Sequence, residues 1–116
     1  MATPTRLTDT AVVDDLIARS HEHPILVFKH SLICPISSAA YAEYGKFIDA
    51  MAADSPVELT LIEIQRARDV SNRVAEATGV RHESPQALLF RDGEVVWHAS
   101  HRKISKQSLE QAVADH

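Results

Sequence analysis

The chain has 116 residues, of which 45% are hydrophobic and 24% are charged, and its formal net charge is −4. These values suit one globular domain over residues 1–116, and they exclude field-scale attraction to nucleic acid or to an anionic membrane. No apolar run approaches the roughly 18 residues that span a bilayer. The N-terminal residues lack a secretory hydrophobic segment and one cysteine suits a reducing compartment, so we expect a cytoplasmic protein.

The first half of the chain predicts a helix, a strand and a second helix. An apolar stripe from about Thr8 to Ser20, with Thr8 or Asp9 as N-cap, indicates an amphipathic helix. The unbroken apolar run from Ile25 to about Lys29 predicts a strand that is covered on both faces. Pro35 suits the first turn of a helix, and apolar residues at helical spacing extend that helix to about Met51.

The next two elements are a strand and a helix. The segment from Glu58 to Ile64 is rich in branched aliphatic residues, which favour a strand. A third helix follows, for which Asp69 is the predicted N-cap and Gly79 the left-handed residue at the end.

The last elements are two strands and a helix. Ala87–Arg91 and Glu94–His98 predict strands, and Asp92-Gly93 between them is a strong signal for an antiparallel hairpin. A final helix begins after Ser105. The order αβαβαββα predicts an α/β, thioredoxin-like fold, in which a four-stranded mixed sheet is flanked by four helices.

Cys34 is the one cysteine, and it lies between the first predicted core strand and the helix that begins at Pro35. Unpaired N–H groups at a helix N-terminus favour thiolate over thiol, so Cys34 is a candidate nucleophile. The alternative is a buried, inert cysteine. Ser37 occupies the position of the second cysteine in dithiol thioredoxin-fold enzymes, where it either donates a hydrogen bond to the sulfur or is simply a residue of the first turn. No histidine stands at a zinc-site spacing from Cys34, and we predict no metal site.

Two flanking segments are candidates to support Cys34. Lys29 and His30 precede it and could add positive charge, although the first could be solvated and the second a hydrogen-bonded loop residue. Ser84-Pro85 precedes the third strand, where the thioredoxin fold carries a cis-proline facing the active cysteine. A cis bond would turn the Ser84 backbone towards the sulfur, whereas the alternative is an ordinary strand-initiating proline.

Six stretches of the chain are more specific than the fold: Phe28-Lys-His-Ser31, Cys34-Pro-Ile-Ser37, Arg68-Asp-Val-Ser-Asn72, Gly79-Val-Arg-His-Glu-Ser-Pro-Gln86, Asp92-Gly93 and His98-Ala-Ser-His101. Together they resemble the monothiol bacilliredoxins, the YtxJ-type bacillithiol-system proteins, over nearly the whole chain beyond the first helix. The resemblance places Ser31 in the active-site motif. It implies removal of bacillithiol from S-bacillithiolated client proteins through a mixed disulfide on Cys34, with the small thiol as co-substrate and no bound cofactor. We expect a monomer or weak dimer.

An anionic thiol would need basic partners. In glutaredoxins the region after the last hairpin strand binds the thiol's carboxylate. Here that region is His98-Ala-Ser-His-Arg-Lys103, which is locally basic and in which Ser100 and His101 are the candidate ligands. Arg81 and His82, beside the proline loop, are a second candidate source of charge, and the alternative for both pairs is solvated surface.

Two other functions are compatible with a single cysteine. One is a redox-sensing or binding module that is thiolated at Cys34 without turnover. The other is iron–sulfur carriage by a dimer, as in monothiol glutaredoxins, although Pro35 and Ile36 replace the small and aromatic residues of their Cys-Gly-Phe-Ser motif.

Overall fold

A computed structural model describes residues 3–116 as a five-stranded mixed sheet between two pairs of helices. All eight predicted helices and strands are present, with ends that differ by at most two residues. In chain order they are β1 (Thr5–Arg6), α1 (Thr10–Arg19), β2 (Ile25–His30), α2 (Pro35–Ala50), β3 (Glu58–Glu63), α3 (Arg68–Thr78), β4 (Gln86–Arg91), β5 (Glu94–Ser100), a 3₁₀ turn (His101–Lys103) and α4 (Lys106–Asp115).

The sheet has the strand order β1-β3-β2-β4-β5, so β2 is central. It pairs in parallel with β3 and antiparallel with β4, and β4 pairs antiparallel with β5. Asp92 and Gly93 have φ angles of 54° and 81°, the positive values that tight hairpin turns require. The predicted hairpin and the thioredoxin-like α/β architecture are therefore confirmed.

The prediction of four strands was wrong, because residues 3–116 form five. The additional strand is β1, which pairs in parallel with β3, Thr5 lying opposite Thr60. The Leu7 N–H continues the ladder by donating to the Leu61 carbonyl at 2.8 Å. Two exposed residues carry no apolar alternation, so backbone pairing with the edge of β3, rather than a sequence pattern, makes this strand.

The two faces of the sheet have separate apolar cores. Phe28 packs with Tyr44 of α2 and Leu109 of α4 on the side we call the α2 face. Val27 packs with Val13 of α1 and Val70 of α3 on the opposite side, the α3 face. Because successive strand residues point to opposite faces, His30 extends the α2 face and Lys29 extends the α3 face.

Four predicted helix ends, at Asp9, Pro35, Gly79 and Ser105, agree with the structure, and one, at Asp69, does not. The Asp9 carboxylate accepts from the Ala11 N–H at 2.9 Å as N-cap of α1, and Gly79 ends α3 with φ 73°. Asp69 is not the N-cap of α3, because the helix already begins at Arg68 with Ala67 as N-cap. Asp69 lies instead in the first turn, where a carboxylate still interacts favourably with the helix dipole.

None of the helices within residues 3–116 combines the length and the apolar character needed to cross a membrane.

Candidate active site around Cys34

Cys34 is the N-cap residue of α2 and is half-buried. Its backbone is extended, with φ −100° and ψ 123°, and its carbonyl accepts from the Ser38 N–H at 3.0 Å. Pro35 is the first helical residue, as predicted. Proline is tolerated there because the N–H group that it lacks would have no acceptor within the helix. Ile33 beside the cysteine is 83% exposed. The sulfur therefore lies at the border between an open loop and a helix N-terminus.

Ser37 is fully buried and joins the end of β2 to the first turn of α2. Its Oγ accepts from the Ser31 N–H at 2.9 Å and lies 2.8 Å from Nδ1 of His30. The hydroxyl has a single proton. That proton is available to the Cys34 sulfur only when Nδ1 of His30 is itself the donor. Ser37 thus has a structural role, because its hydroxyl bonds both His30 and the backbone of Ser31.

His30 lies on the α2 face, where its ring stacks on Tyr41 with centroids 4.6 Å apart. Burial lowers the pKa of His30, and the nearby Glu63 carboxylate opposes this only in part. A histidine with a lowered pKa is neutral at pH 7. Of the two interpretations of His30, the hydrogen-bonded residue therefore agrees with the structure better than the source of positive charge.

Gln65 was not identified from the sequence, yet it holds the loop that carries Cys34. Its Oε1 accepts from the Leu32 N–H and its Nε2 donates to Oγ of Ser31, both at 2.9 Å. Because β2 and β3 are parallel, their carboxyl ends meet at one edge of the sheet, and Gln65 follows β3 there. A polar residue directly after the neighbouring parallel strand was the available signal.

The Ser84-Pro85 peptide bond is cis, in agreement with the expectation from the fold. The Pro85 carbonyl accepts from the His101 N–H at 3.0 Å, whereas no hydrogen bond within residues 3–116 involves the backbone of Ser84. Oγ of Ser84 is also buried without a partner in this part of the chain. The antiparallel pairing of Lys29 with Gln86 brings residues 81–85, which we call the proline loop, to the same edge of the sheet as Cys34. Ser84 thus offers unused polar groups at that edge.

Lys29 is fully buried, so its interpretation as a solvated strand-end residue was wrong. Its Nζ donates to the Ser71 carbonyl at 3.1 Å and lies 3.3 Å from Nδ1 of His82. Burial lowers the pKa of Lys29 from 10.5 to about 8. The ammonium lies on the α3 face, whereas Cys34 begins the helix that covers the α2 face. Its hydrogen bonds reach α3 and the proline loop, and none reaches the cysteine.

The lowered pKa of Lys29 predicts a stability change at alkaline pH. Between about pH 8 and pH 10.5 the unfolded chain holds this proton and the folded chain does not, so raising the pH favours the folded state. We expect the free energy of unfolding of the wild type, relative to Lys29→Met, to rise by about 3 kcal/mol across this window. Urea unfolding of both proteins at several pH values measures it. A difference that stays constant or falls with pH would contradict the prediction.

A groove of about 420 Å³ begins beside Cys34. Pro35, Ile36 and Ala39 of α2 form one wall, which is mostly apolar, and His101 and Arg102 stand on the other. The Glu43 carboxylate also lines the groove. It is held there by the Lys106 N–H and by the Lys46 ammonium, and these bonds lower its pKa. The groove thus has an apolar wall, a basic rim and one carboxylate that is already hydrogen-bonded.

The four predicted thiol-binding residues do not form one cluster. His101 lines the groove, has φ 56° and lies with Nδ1 3.4 Å from a Glu83 carboxylate oxygen. Ser100 ends β5 opposite Gln86 and does not line the groove. Arg81 and His82 belong to the proline loop and do not line it either. Arg102, which belongs to the same basic segment as His101, also lines the groove.

Several solved structures have a similar fold. A solved structure provisionally described as an oxidoreductase with a thioredoxin fold is 36% identical, with a TM-score of 0.79 over 94% of this chain and 92% of that chain. The thioredoxin of Fasciola hepatica is 14% identical, with a TM-score of 0.75 over 97% of this chain and 98% of that one. Mitochondrial thioredoxin 3 of Saccharomyces cerevisiae, in its oxidised form, is 16% identical, with a TM-score of 0.72 over 97% and 95%. The two thioredoxins support the fold alone.

The family comparison is more specific. The model of the family described as monothiol bacilliredoxin BrxC matches residues 5–109, a span that contains Cys34, the cis-proline loop and the groove. Together with the thioredoxin-fold oxidoreductase at 36% identity, this match shows that the chain belongs to the monothiol bacilliredoxin family.

Proposed function

We propose that this protein is a monothiol disulfide oxidoreductase that removes a low-molecular-weight thiol from S-thiolated client proteins. The Cys34 thiolate attacks the small-thiol sulfur of the mixed disulfide, forming a new S–S bond as the bond to the client breaks. The client leaves as a thiolate and takes up a proton. A second molecule of small thiol, as thiolate, then attacks the adduct, releases the Cys34 thiolate and leaves as a disulfide of two small thiols.

One observation carries this proposal. Cys34 is half-buried at the N-cap of α2 and lies at the same edge of the sheet as the proline loop. The unpaired backbone groups of Ser84 suit an extended segment that pairs with them as a short strand. Ser37 cannot resolve a mixed disulfide, because it has no sulfur. The adduct on Cys34 would therefore await an external thiol.

We propose bacillithiol as the small thiol, in keeping with membership of the bacilliredoxin family. We place its anionic part in the groove beside Pro35. His101 and Arg102 supply hydrogen-bond donors and positive charge for a carboxylate, and the apolar wall of α2 suits the remainder of the ligand. We further propose that the reaction takes place in a reducing compartment, the cytoplasm, by a monomer or weak dimer.

Intact-protein mass spectrometry tests the proposed function. Incubation of the reduced protein with an S-bacillithiolated client should give the bacillithiol adduct on Cys34 and the reduced client. With excess bacillithiol, each protein molecule should process many clients. An adduct that forms once and is never turned over would instead favour the redox-sensing function. Repeating the assay with a glutathionylated client distinguishes the two thiols.

The basic rim of the groove makes a further prediction. Replacing Arg102 with glutamate should raise the KM for an S-bacillithiolated substrate about tenfold, since it changes attraction of a carboxylate into repulsion at an exposed site. The effect should weaken at high ionic strength. Steady-state kinetics at low and high salt measure both. Arg91→Glu, with the same charge change at the far end of β4, is the matched control. An equal effect of both variants would show that net charge, and not the groove, is responsible.

A further inference from the structure

The proline loop is held in place by two buried polar side chains of the α3 face, Gln86 and Lys29. Gln86 is 1% exposed, and its Nε2 donates to the Arg81 carbonyl at 2.9 Å. Lys29 lies opposite Gln86 in the β2–β4 register and approaches Nδ1 of His82 at 3.3 Å. Lys29 also donates to the Ser71 carbonyl of α3. A buried lysine thus joins the central strand, a helix and the proline loop.

The contacts of His82 fix its protonation. A lysine ammonium can only donate, so Nδ1 of His82 is the acceptor and its ring proton lies on Nε2. Oγ of Ser71 lies 3.1 Å from the same nitrogen and can add a second donor. Burial lowers the pKa of His82, and the positive charges of Lys29 and Arg68 lower it further, whereas Glu83 of the same loop opposes them. The imidazole ring of His82 is therefore neutral when it accepts the hydrogen bond from Lys29.

We propose that Lys29 is a positioning residue, which acts through His82 to hold the Ser84 backbone where a thiolated client pairs with it. This inference rests on the proposed function, since it assigns the client's backbone as the partner of Ser84. The ammonium and Cys34 belong to opposite faces of the sheet, so Lys29 acts on the loop and not on the sulfur. His82 is then the link to the loop rather than a contact of the small thiol.

Two rates measured on Lys29→Met separate these roles. Transfer from a thiolated client needs the loop, whereas alkylation of Cys34 by iodoacetamide needs only the thiolate. We expect kcat/KM for transfer to fall roughly 10- to 100-fold, mainly through KM, because small displacements of a docking group are costly. Alkylation should stay within about twofold of wild type. Arg91→Met, which removes an exposed positive charge at the end of β4, is the control and should change neither rate. A parallel loss of transfer and alkylation in Lys29→Met would overturn the proposal.

Two substitutions of exposed His82 test the same link without altering the core. Asn places an oxygen close to the position of Nδ1 and keeps the acceptor for Lys29, whereas Leu removes it. We expect His82→Leu to reproduce the loss of transfer and His82→Asn to retain most of it. Equal losses in the two variants would overturn the proposal and would indicate that the ring itself contacts the substrate.

The ¹⁵N spectrum of His82 tests the link independently of any activity. The wild type should show unprotonated Nδ1 and protonated Nε2. In Lys29→Met the ring should populate both tautomers, and the pKa of His82 should rise because a positive charge is lost. An unchanged spectrum would overturn the proposal. A wild type that transfers no thiol would instead contradict the proposed function, and the spectrum would then show whether Lys29 still controls His82.

Discussion

Replacing Cys34 with serine is expected to reduce thiol transfer to the uncatalysed rate. A serine hydroxyl stays protonated at neutral pH and cannot form a disulfide, so neither step of the exchange remains. Because Cys34 is half-buried at a helix N-cap, where serine is a favoured residue, the free energy of unfolding should change by less than about 1 kcal/mol. The release of small thiol from a thiolated client, followed by mass spectrometry, measures the loss.

The experiment needs evidence that the variant is folded. Circular dichroism and urea unfolding of Cys34→Ser supply it, and the wild type blocked by iodoacetamide provides a second inactive form with the native sequence. Transfer by Cys34→Ser at a rate above that of the blocked wild type would show that another group carries the chemistry.

The second large effect concerns Ser37. Its replacement by alanine leaves the buried Ser31 N–H without an acceptor and removes the partner of Nδ1 of His30. Each unpaired buried group costs roughly 1–3 kcal/mol, so we expect a loss of about 4 kcal/mol in the free energy of unfolding. The rate of transfer should also fall, because this network fixes the loop between β2 and Cys34. Denaturant unfolding and transfer kinetics measure the two effects.

Ser38→Ala is the matched control, since Ser38 is exposed and is the next residue of the same helix turn. It should change stability by no more than about 0.5 kcal/mol. A Ser37→Ala variant as stable as Ser38→Ala would show that solvent or relaxation of the loop replaces the lost bonds.

Much of the fold could be predicted because local patterns and tertiary structure agree. The apolar run from Ile25, the left-handed Gly79 and the Asp92-Gly93 turn all have the predicted roles. The short strand β1 could not be predicted, because two residues that pair through their backbones leave no side-chain pattern. The start of α3 was missed for a related reason, since Ala67 has no side-chain oxygen to mark an N-cap.

The site residues that lie at the ends of predicted strands could be placed from the sequence. Cys34 follows one predicted strand and Pro85 precedes another, so both could be located. The contacts of Lys29 with α3 and of Gln65 with the loop before Cys34 join residues that are distant in sequence, and they could not. The face of the sheet on which the Lys29 side chain lies could nevertheless have been predicted. Lys29 lies within a strand whose six residues are all buried, so alternation alone would have placed its side chain under the α3 helix. Its charge instead suggested two alternatives, a source of positive charge for Cys34 and a solvated strand-end residue, and the second was wrong.

The position of Ser37 bears on how a one-cysteine enzyme of this kind can change over evolution. A cysteine at that position would restore the spacing of a dithiol enzyme. Its sulfur, however, is a weak acceptor and would replace poorly the oxygen that holds the Ser31 N–H. Gaining a second thiol by a single substitution at this position would thus disturb the loop that precedes Cys34. A chain with two thiols would therefore have to rebuild the His30 and Ser31 contacts at the same time as it gained the second cysteine.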